Sequence, residues 1–126
     1  MIKILIVDDD PIILKFCEVL LHSLGRPCEV TLSLDPLDAV KKLSHISFDL
    51  IITDIMMPKV NGNTFLRAAR ELSFQTPILM ISGKRDDKTV HNVFALGATD
   101  FLSKPLQRES FIEKIQQWLP PPSLKP

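Results

Sequence analysis

Residues 2–11 have the sequence IKILIVDDDP, in which a short apolar run stops abruptly at three carboxylates. The run is rich in β-branched residues and carries only one charge, Lys3, which is typical of a strand buried on both faces. Asp10 followed by Pro11 is typical of a helix start, because aspartate caps free backbone N–H groups and proline tolerates the first helical position. The stretch therefore predicts a strand, an acidic turn and a helix, in that order.

The same pattern of strand and helix recurs along the chain. Apolar runs predict four further strands, at residues 28–33, 50–53, 77–82 and 99–102. We expect Asp35 and Asp86 to cap the second and fourth helices. The apolar faces that we expect on the five helices are Ile13, Phe16, Cys17, Leu20, Leu21 and Leu24; Leu37, Val40 and Leu43; Phe65, Leu66, Ala69 and Leu72; Val90, Phe94 and Leu96; and Phe111, Ile112, Ile115 and Trp118.

Five alternating strands and helices predict an α/β fold, in which a parallel sheet is covered by helices on both faces. We expect a flavodoxin-like, doubly wound (βα)5 arrangement with a five-stranded parallel sheet of order 2-1-3-4-5, the commoner order for five such strands. Right-handed crossovers then place the first and fifth helices on one face of the sheet and the other three helices on the opposite face.

The composition is that of one ordinary domain, with 126 residues of which 45% are hydrophobic. Fifteen basic and fifteen acidic residues cancel, which argues against a nucleic-acid-binding surface spread over the whole domain. Cys17 and Cys28 lack a CxxC spacing, and we expect them to be reduced and buried. We find no signal peptide pattern and no membrane-spanning run, and therefore expect a cytoplasmic protein. The predicted division is one domain over residues 1–119 and a proline-rich tail or linker over 120–126.

Polar residues follow four of the five predicted strands. Asp8 and Asp9 end the first strand, Asp54 ends the third, Ser82 ends the fourth and Lys104 follows the fifth. Parallel strands place their carboxyl ends at the same edge, and with the first and third strands adjacent the three carboxylates should converge there and repel one another unless a cation or a proton intervenes. An oxygen-only ligand set suits Mg²⁺ better than zinc. Each residue alone has an ordinary structural explanation, and the coincidence at one edge favours a functional site.

Four segments resemble the receiver domain of two-component response regulators, including its single-domain chemotaxis regulators. These segments are IVDDD at 6–10, DIMMPKVNG at 54–62, PILMISG at 77–83 and GATDFLSKP at 97–105. They occur in the family's order and spacing, and the resemblance extends from residue 2 to about residue 119. Two departures are Gly83, where the family usually has a small side chain, and Phe101, where many members have tyrosine.

The resemblance implies a phosphoacceptor signalling domain and not an ordinary enzyme, although such domains assist their own phosphorylation and dephosphorylation. It implies that Asp54 accepts a phosphoryl group and that Mg²⁺ is bound by Asp8, Asp9, Asp54 and the backbone carbonyl of Met56. Ser82 and Lys104 are the implied contacts of the phosphoryl group, and Ser82 and Phe101 the implied switch. The implied partners are a sensor histidine kinase or phosphotransfer protein, and an effector domain or protein at the face of helix 4, strand 5 and helix 5. Direct binding to nucleic acid or to membranes is not implied.

Two other functions are compatible with parts of the sequence. Asp8 and Asp10 resemble the DxD pair of haloacid-dehalogenase-type phosphatases, which also use Mg²⁺ and place the nucleophile, here Asp8, after a first strand. The chain is short for that family, and this interpretation leaves Asp54 without a role. The third hypothesis is a constitutive binding module that works without phosphate, against which the complete set of polar residues argues.

Overall fold

The computed structural model describes residues 1–54, 62–73, 75–83 and 87–121. Strands and helices alternate along these residues, as the sequence pattern predicts. Their bounds are β1 Ile2–Val7, α1 Pro11–His22, β2 Cys28–Ser33, α2 Pro36–Leu43, β3 Leu50–Asp54, α3 Gly62–Leu72, β4 Ile78–Ser82, α4 Asp87–Ala95, β5 Asp100–Ser103 and α5 Arg108–Trp118. The strands form one parallel sheet of order β2-β1-β3-β4-β5, which confirms the predicted topology.

Two hydrophobic cores lie on the two faces of the sheet. β1 contributes to both, because successive side chains of a strand point to opposite faces. Ile4 and Ile6 pack in the core that contains the buried residues of α1 and α5. Leu5 and Val7 pack in the core that contains those of α2, α3 and α4. The predicted distribution of the helices is therefore confirmed.

Two helices begin as the Asp-Pro pairs predict. The Asp10 carboxylate accepts a hydrogen bond from Ile12 N at 2.9 Å, and the Asp35 carboxylate accepts one from Leu37 N at 2.8 Å. A cap of this kind contributes about 1 kcal/mol to helix stability. The predicted cap Asp86 lies outside the described residues.

Three of the predicted apolar helix positions are wrong. Leu37, Leu72 and Phe94 are 58%, 48% and 42% exposed. In α2, Ala39 and Leu43 are one turn apart and face the sheet, which leaves Leu37 two residues away on the opposite side. In α4, Val93 is buried in the core on this face of the sheet, and Phe94, the next residue, points away from it.

Smaller corrections concern α1, a cysteine and the strand ends. Leu14 is a buried residue of α1 that the predicted apolar face omits. Cys17 is buried, but Cys28 is only half-buried because it lies on the edge strand β2, and no disulfide joins the two. The observed bounds of β3, β4 and β5 differ from the predicted ones by one residue at one or both ends.

No helix in the described part of the chain combines the length and the apolar character that crossing a bilayer would require. The predicted domain boundary at residue 119 stays a prediction, and residues 122–126 lie outside the described part.

Candidate functional site

The predicted site residues meet at the carboxyl-terminal edge of the sheet. Asp8 follows β1, Asp54 is the last residue of β3, Ser82 is the last residue of β4 and Lys104 follows β5. Because β1, β3, β4 and β5 are consecutive neighbours in a parallel sheet, their ends lie side by side. The reversal of strand order occurs at β1 and β3, the position where ligands bind in open α/β sheets.

Three carboxylates form an acidic cluster at this edge. One ligand oxygen from each of Asp8, Asp9 and Asp54 lies within 4.8 Å of the other two. Asp8 and Asp54 are buried, whereas Asp9 is exposed. The Asp8 carboxylate is held in place by a hydrogen bond that Asp10 N donates at 2.9 Å. The predicted convergence of the three residues is therefore present.

Lys104 supplies the positive charge beside this cluster. Its Nζ atom donates a hydrogen bond to Asp54 Oδ2 at 2.9 Å and lies 3.2 Å from Asp8 Oδ2. The backbone also fixes the residue, because Lys104 N donates to Ser82 O at 2.9 Å. One ammonium group thus faces two buried carboxylates, and its position depends on β4 as well as β5.

Burial and charge perturb the protonation of Asp8. Burial raises the pKa of its carboxyl, and the negative charge of Asp54 raises it as well. The Asp10 N–H and the Lys104 ammonium oppose this effect, and the resulting pKa is about 6 instead of 3.8. Burial lowers the pKa of Lys104, but the two carboxylates outweigh burial and hold it above its usual range.

The donor set fits a hard divalent cation. Asp8 Oδ2 is buried and, within the described residues, accepts no hydrogen bond, although Lys104 lies at ion-pair distance. One oxygen from each of the three carboxylates already lies within 4.8 Å of the other two. Mg²⁺ usually keeps several of its waters and binds only a few carboxylates, so this donor set would hold it directly or through water. Met56, whose carbonyl was the predicted fourth ligand, lies outside the described residues.

The predicted switch residues lie on neighbouring strands. Ser82 is completely buried at the end of β4. Phe101 pairs with Met80 in the sheet register and is half-buried, with its side chain packed against the core shared with α2, α3 and α4. A groove of about 520 Å³ lies beside Phe101, between β5 and the start of α5.

Sequence reasoning missed two polar residues that organise the region around β5. Arg70 of α3 donates to the carbonyls of Ser73, Thr76 and Gly97 at 3.2, 2.8 and 2.7 Å. Asp100 accepts hydrogen bonds from two side chains of α5. Neither residue could be identified from the sequence, because their partners lie up to 27 positions away and form no recognisable motif.

The geometry also bears on the phosphatase hypothesis. A DxD pair would need the carboxylates of Asp8 and Asp10 to face one reacting group. Asp10 instead uses its carboxylate to cap α1, and the acidic cluster consists of Asp8, Asp9 and Asp54. The arrangement thus favours a site centred on the third strand over one centred on the first.

Comparison with known proteins gives one consistent result. The family model described as "Response regulator receiver domain" matches residues 4–116. Transcriptional regulatory protein TrcR of Mycobacterium tuberculosis is 32% identical over 117 residues, which cover 91% of this chain and 44% of that protein. Hybrid signal transduction histidine kinase G of Dictyostelium discoideum is 35% identical over 122 residues, which cover 94% of this chain and 4% of that protein.

Solved structures agree. The chemotaxis response regulator CheY4 of Vibrio cholerae is 32% identical, with a TM-score of 0.84 and coverage of 94% of this chain and 99% of that chain. The curated relatives are longer proteins, and this chain spans about half of their length or less.

Proposed function

The chain belongs to the response regulator receiver family, the phosphoacceptor signalling domains of two-component systems, and we propose that Asp54 is its phosphoacceptor. The observation that carries this proposal is the position of one buried carboxylate. Asp54 ends β3 at the switch point of the sheet, receives a hydrogen bond from Lys104 at 2.9 Å and belongs to the acidic cluster. Lys104 Nζ also lies 3.2 Å from Asp8, but Asp54 is the nearer of the two carboxylates and the one to which Lys104 donates a hydrogen bond.

The proposed reaction moves a phosphoryl group from a phosphohistidine of a kinase or phosphotransfer protein to Asp54. A carboxylate oxygen attacks phosphorus, the P–N bond breaks, and the imidazole leaves as the neutral base once it takes up a proton. The product is an acyl phosphate that water can hydrolyse. Phosphoryl transfer depends mainly on in-line positioning and on stabilising negative charge, which suits a site with few reactive groups.

The neighbouring residues have complementary roles in this proposal. Asp8, Asp9, Asp54 and the Met56 carbonyl would hold Mg²⁺, which supplies charge neutralisation for the phosphoryl oxygens when it is bound. Lys104 already lies beside Asp54 and would contact a phosphoryl oxygen after transfer. Ser82, one strand away, would donate its hydroxyl to another oxygen.

Signal output follows from those new contacts. Phosphorylation changes the local charge and draws Ser82 and Lys104 toward the phosphoryl oxygens. Movement of Ser82 would vacate space toward which Phe101 would turn from its half-buried position. We assign the surface of α4, β5 and α5 as the face on which an effector domain or protein reads this change.

The remaining parts of the proposal concern the biological context. The domain would signal without turning over a separate substrate, bind no nucleic acid directly, and act in the cytoplasm, in keeping with its two unjoined cysteines.

The test is phosphorylation in the absence of a kinase. With Mg²⁺ and acetyl phosphate, intact-mass analysis should detect one added phosphoryl group that is labile in base. Asp54→Asn should not be labelled, whereas Asp38→Asn, which changes an exposed aspartate on α2, should be labelled like the wild type. Labelling that is lost in Asp8→Asn but retained in Asp54→Asn would reject Asp54 and support the phosphatase hypothesis.

A further inference from the structure

Asp100, the first residue of β5, connects that strand to the last turns of α5. Its Oδ2 atom accepts hydrogen bonds from Lys114 Nζ at 2.8 Å and from Trp118 Nε1 at 2.9 Å. Lys114 and Trp118 are one helical turn apart and therefore approach Asp100 from the same face of α5. The carboxylate is 17% exposed, so these contacts are largely shielded from water.

The same carboxylate also holds the residue next to it. Asp100 Oδ1 accepts a hydrogen bond from the backbone N–H of Phe101 at 2.8 Å. One rigid, planar group therefore joins the backbone at Phe101 to two side chains of α5. Burial raises the pKa of Asp100, but the hydrogen bonds from Lys114, Trp118 and Phe101 outweigh it and keep this pKa below the usual value. The carboxylate thus remains charged at neutral pH, when charge-assisted hydrogen bonds are strong.

The far end of this connection is the point at which the chain leaves α5. Leu119 directly follows Trp118 and is buried. Arg26, in the loop before β2, donates a hydrogen bond to the carbonyl of Pro120 at 2.8 Å. The direction of the chain after the helix is therefore set by contacts with the domain, and a shift of the last turn of α5 would change it.

We propose that Asp100 is a positioning residue that transmits movement of Phe101 to the C-terminal end of α5, so that phosphorylation changes how the chain leaves the domain. This inference rests on the proposed function and adds a route within the domain to the surface that an effector would read. A carboxylate that only stabilised the fold would leave the response of α5 to the phosphoryl mimic unchanged when it is removed.

The experiment follows NMR signals before and after saturation with Mg²⁺ and beryllofluoride. The sequence contains one tryptophan, so the indole N–H resonance of Trp118 is unique. In the wild type, the ring signals of Phe101, the Trp118 indole N–H and the Leu119 amide should all shift. In Asp100→Ala, the Phe101 signals should still shift, whereas the Leu119 amide should not.

Two further variants make the test specific. Asp38→Ala removes a different lysine-paired carboxylate, on α2, and should respond as the wild type does. Trp118→Phe keeps an aromatic ring and the Lys114 contact but loses the indole donor, and its Leu119 response should be reduced or lost. This variant also serves if Asp100→Ala does not fold.

Failure of this inference and failure of the proposed function are distinguishable. An unchanged Leu119 response in Asp100→Ala or in Trp118→Phe, or a wild type in which Phe101 shifts and Leu119 does not, would overturn the role of Asp100 alone. A wild type that is not labelled on Asp54 by acetyl phosphate, and in which Phe101 does not respond to the mimic, would overturn the proposed function together with this inference.

Discussion

Replacing Asp8 with asparagine should stabilise the protein at neutral pH in the absence of divalent cations. The pKa of Asp8 is raised from 3.8 to about 6, and at 1.36 kcal/mol per pKa unit its ionisation costs the folded state about 3 kcal/mol. Asparagine is nearly isosteric and uncharged. It also leaves Lys104 paired with Asp54 at 2.9 Å.

The sign of the pH dependence follows from the raised pKa. A carboxyl that binds its proton more tightly when folded contributes stability at low pH, and that stability is lost as pH rises from about 4 to about 6. The difference between Asp8→Asn and wild type should therefore be small at pH 3.5 and grow to about 1–3 kcal/mol at pH 7, the lower values allowing for the lost Lys104 contact.

Urea unfolding in EDTA at several pH values measures this difference directly. Asp10→Asn is the matched control, because Asp10 is exposed and asparagine is an equally good helix cap. The same titration with Mg²⁺ should stabilise the wild type more than Asp8→Asn, because the variant lacks a ligand. An Asp8→Asn protein that is less stable than the wild type at pH 7 in EDTA would refute the argument that repulsion and burial dominate at this site.

Three other predictions concern the cation, the β5 region and the thiols. Asp9→Ala should be at least as stable as the wild type in EDTA, but Mg²⁺ should raise its melting temperature little. A rise in melting temperature equal to that of the wild type would exclude Asp9 as a ligand. Gly97→Ala should lower the free energy of unfolding by about 1–3 kcal/mol, because Gly97 has φ +112° and an added Cβ atom would lie 3.1 Å from Arg70 Nε. A loss below about 0.5 kcal/mol would contradict this reasoning. Cys28, which is half-buried, should react with a thiol reagent at pH 8 well before Cys17, because burial raises the pKa of Cys17 to about 12. Equal reaction rates of the two cysteines, measured by mass-spectrometric mapping, would be inconsistent with the packing of α1.

The location of the site could be predicted from the sequence because parallel strands share a direction. Once residues 2–7 and 50–53 were assigned to adjacent parallel strands, the carboxylates that follow them had to lie at one edge. The same reasoning placed Ser82 and Lys104 there. It required the period of the apolar pattern, the position of each polar residue relative to a strand end, and the choice of 2-1-3-4-5 as the commoner strand order.

Distances and partners could not be predicted in this way. The approach of Lys104 to both Asp54 and Asp8 depends on the relative height of β3 and β5 in the sheet. The raised pKa of Asp8 depends on how completely the surrounding helices exclude water. The Lys104 distances and the Asp8 pKa each result from contacts with many residues that are distant in sequence.

The sequence alone determined the order of strands and helices along the chain, the helix caps at Asp10 and Asp35, and which polar residues follow the strand ends. These features depend on local periodicity and local hydrogen bonds. Only the tertiary structure decided which way each helix turns its side chains, as the exposure of Leu37 illustrates. It alone also connected Asp100 to Trp118 across 18 positions. When the helices pack, they exclude water from polar groups such as these, which must then find hydrogen-bond partners within the protein. No local pattern in the chain encodes which partner each group finds.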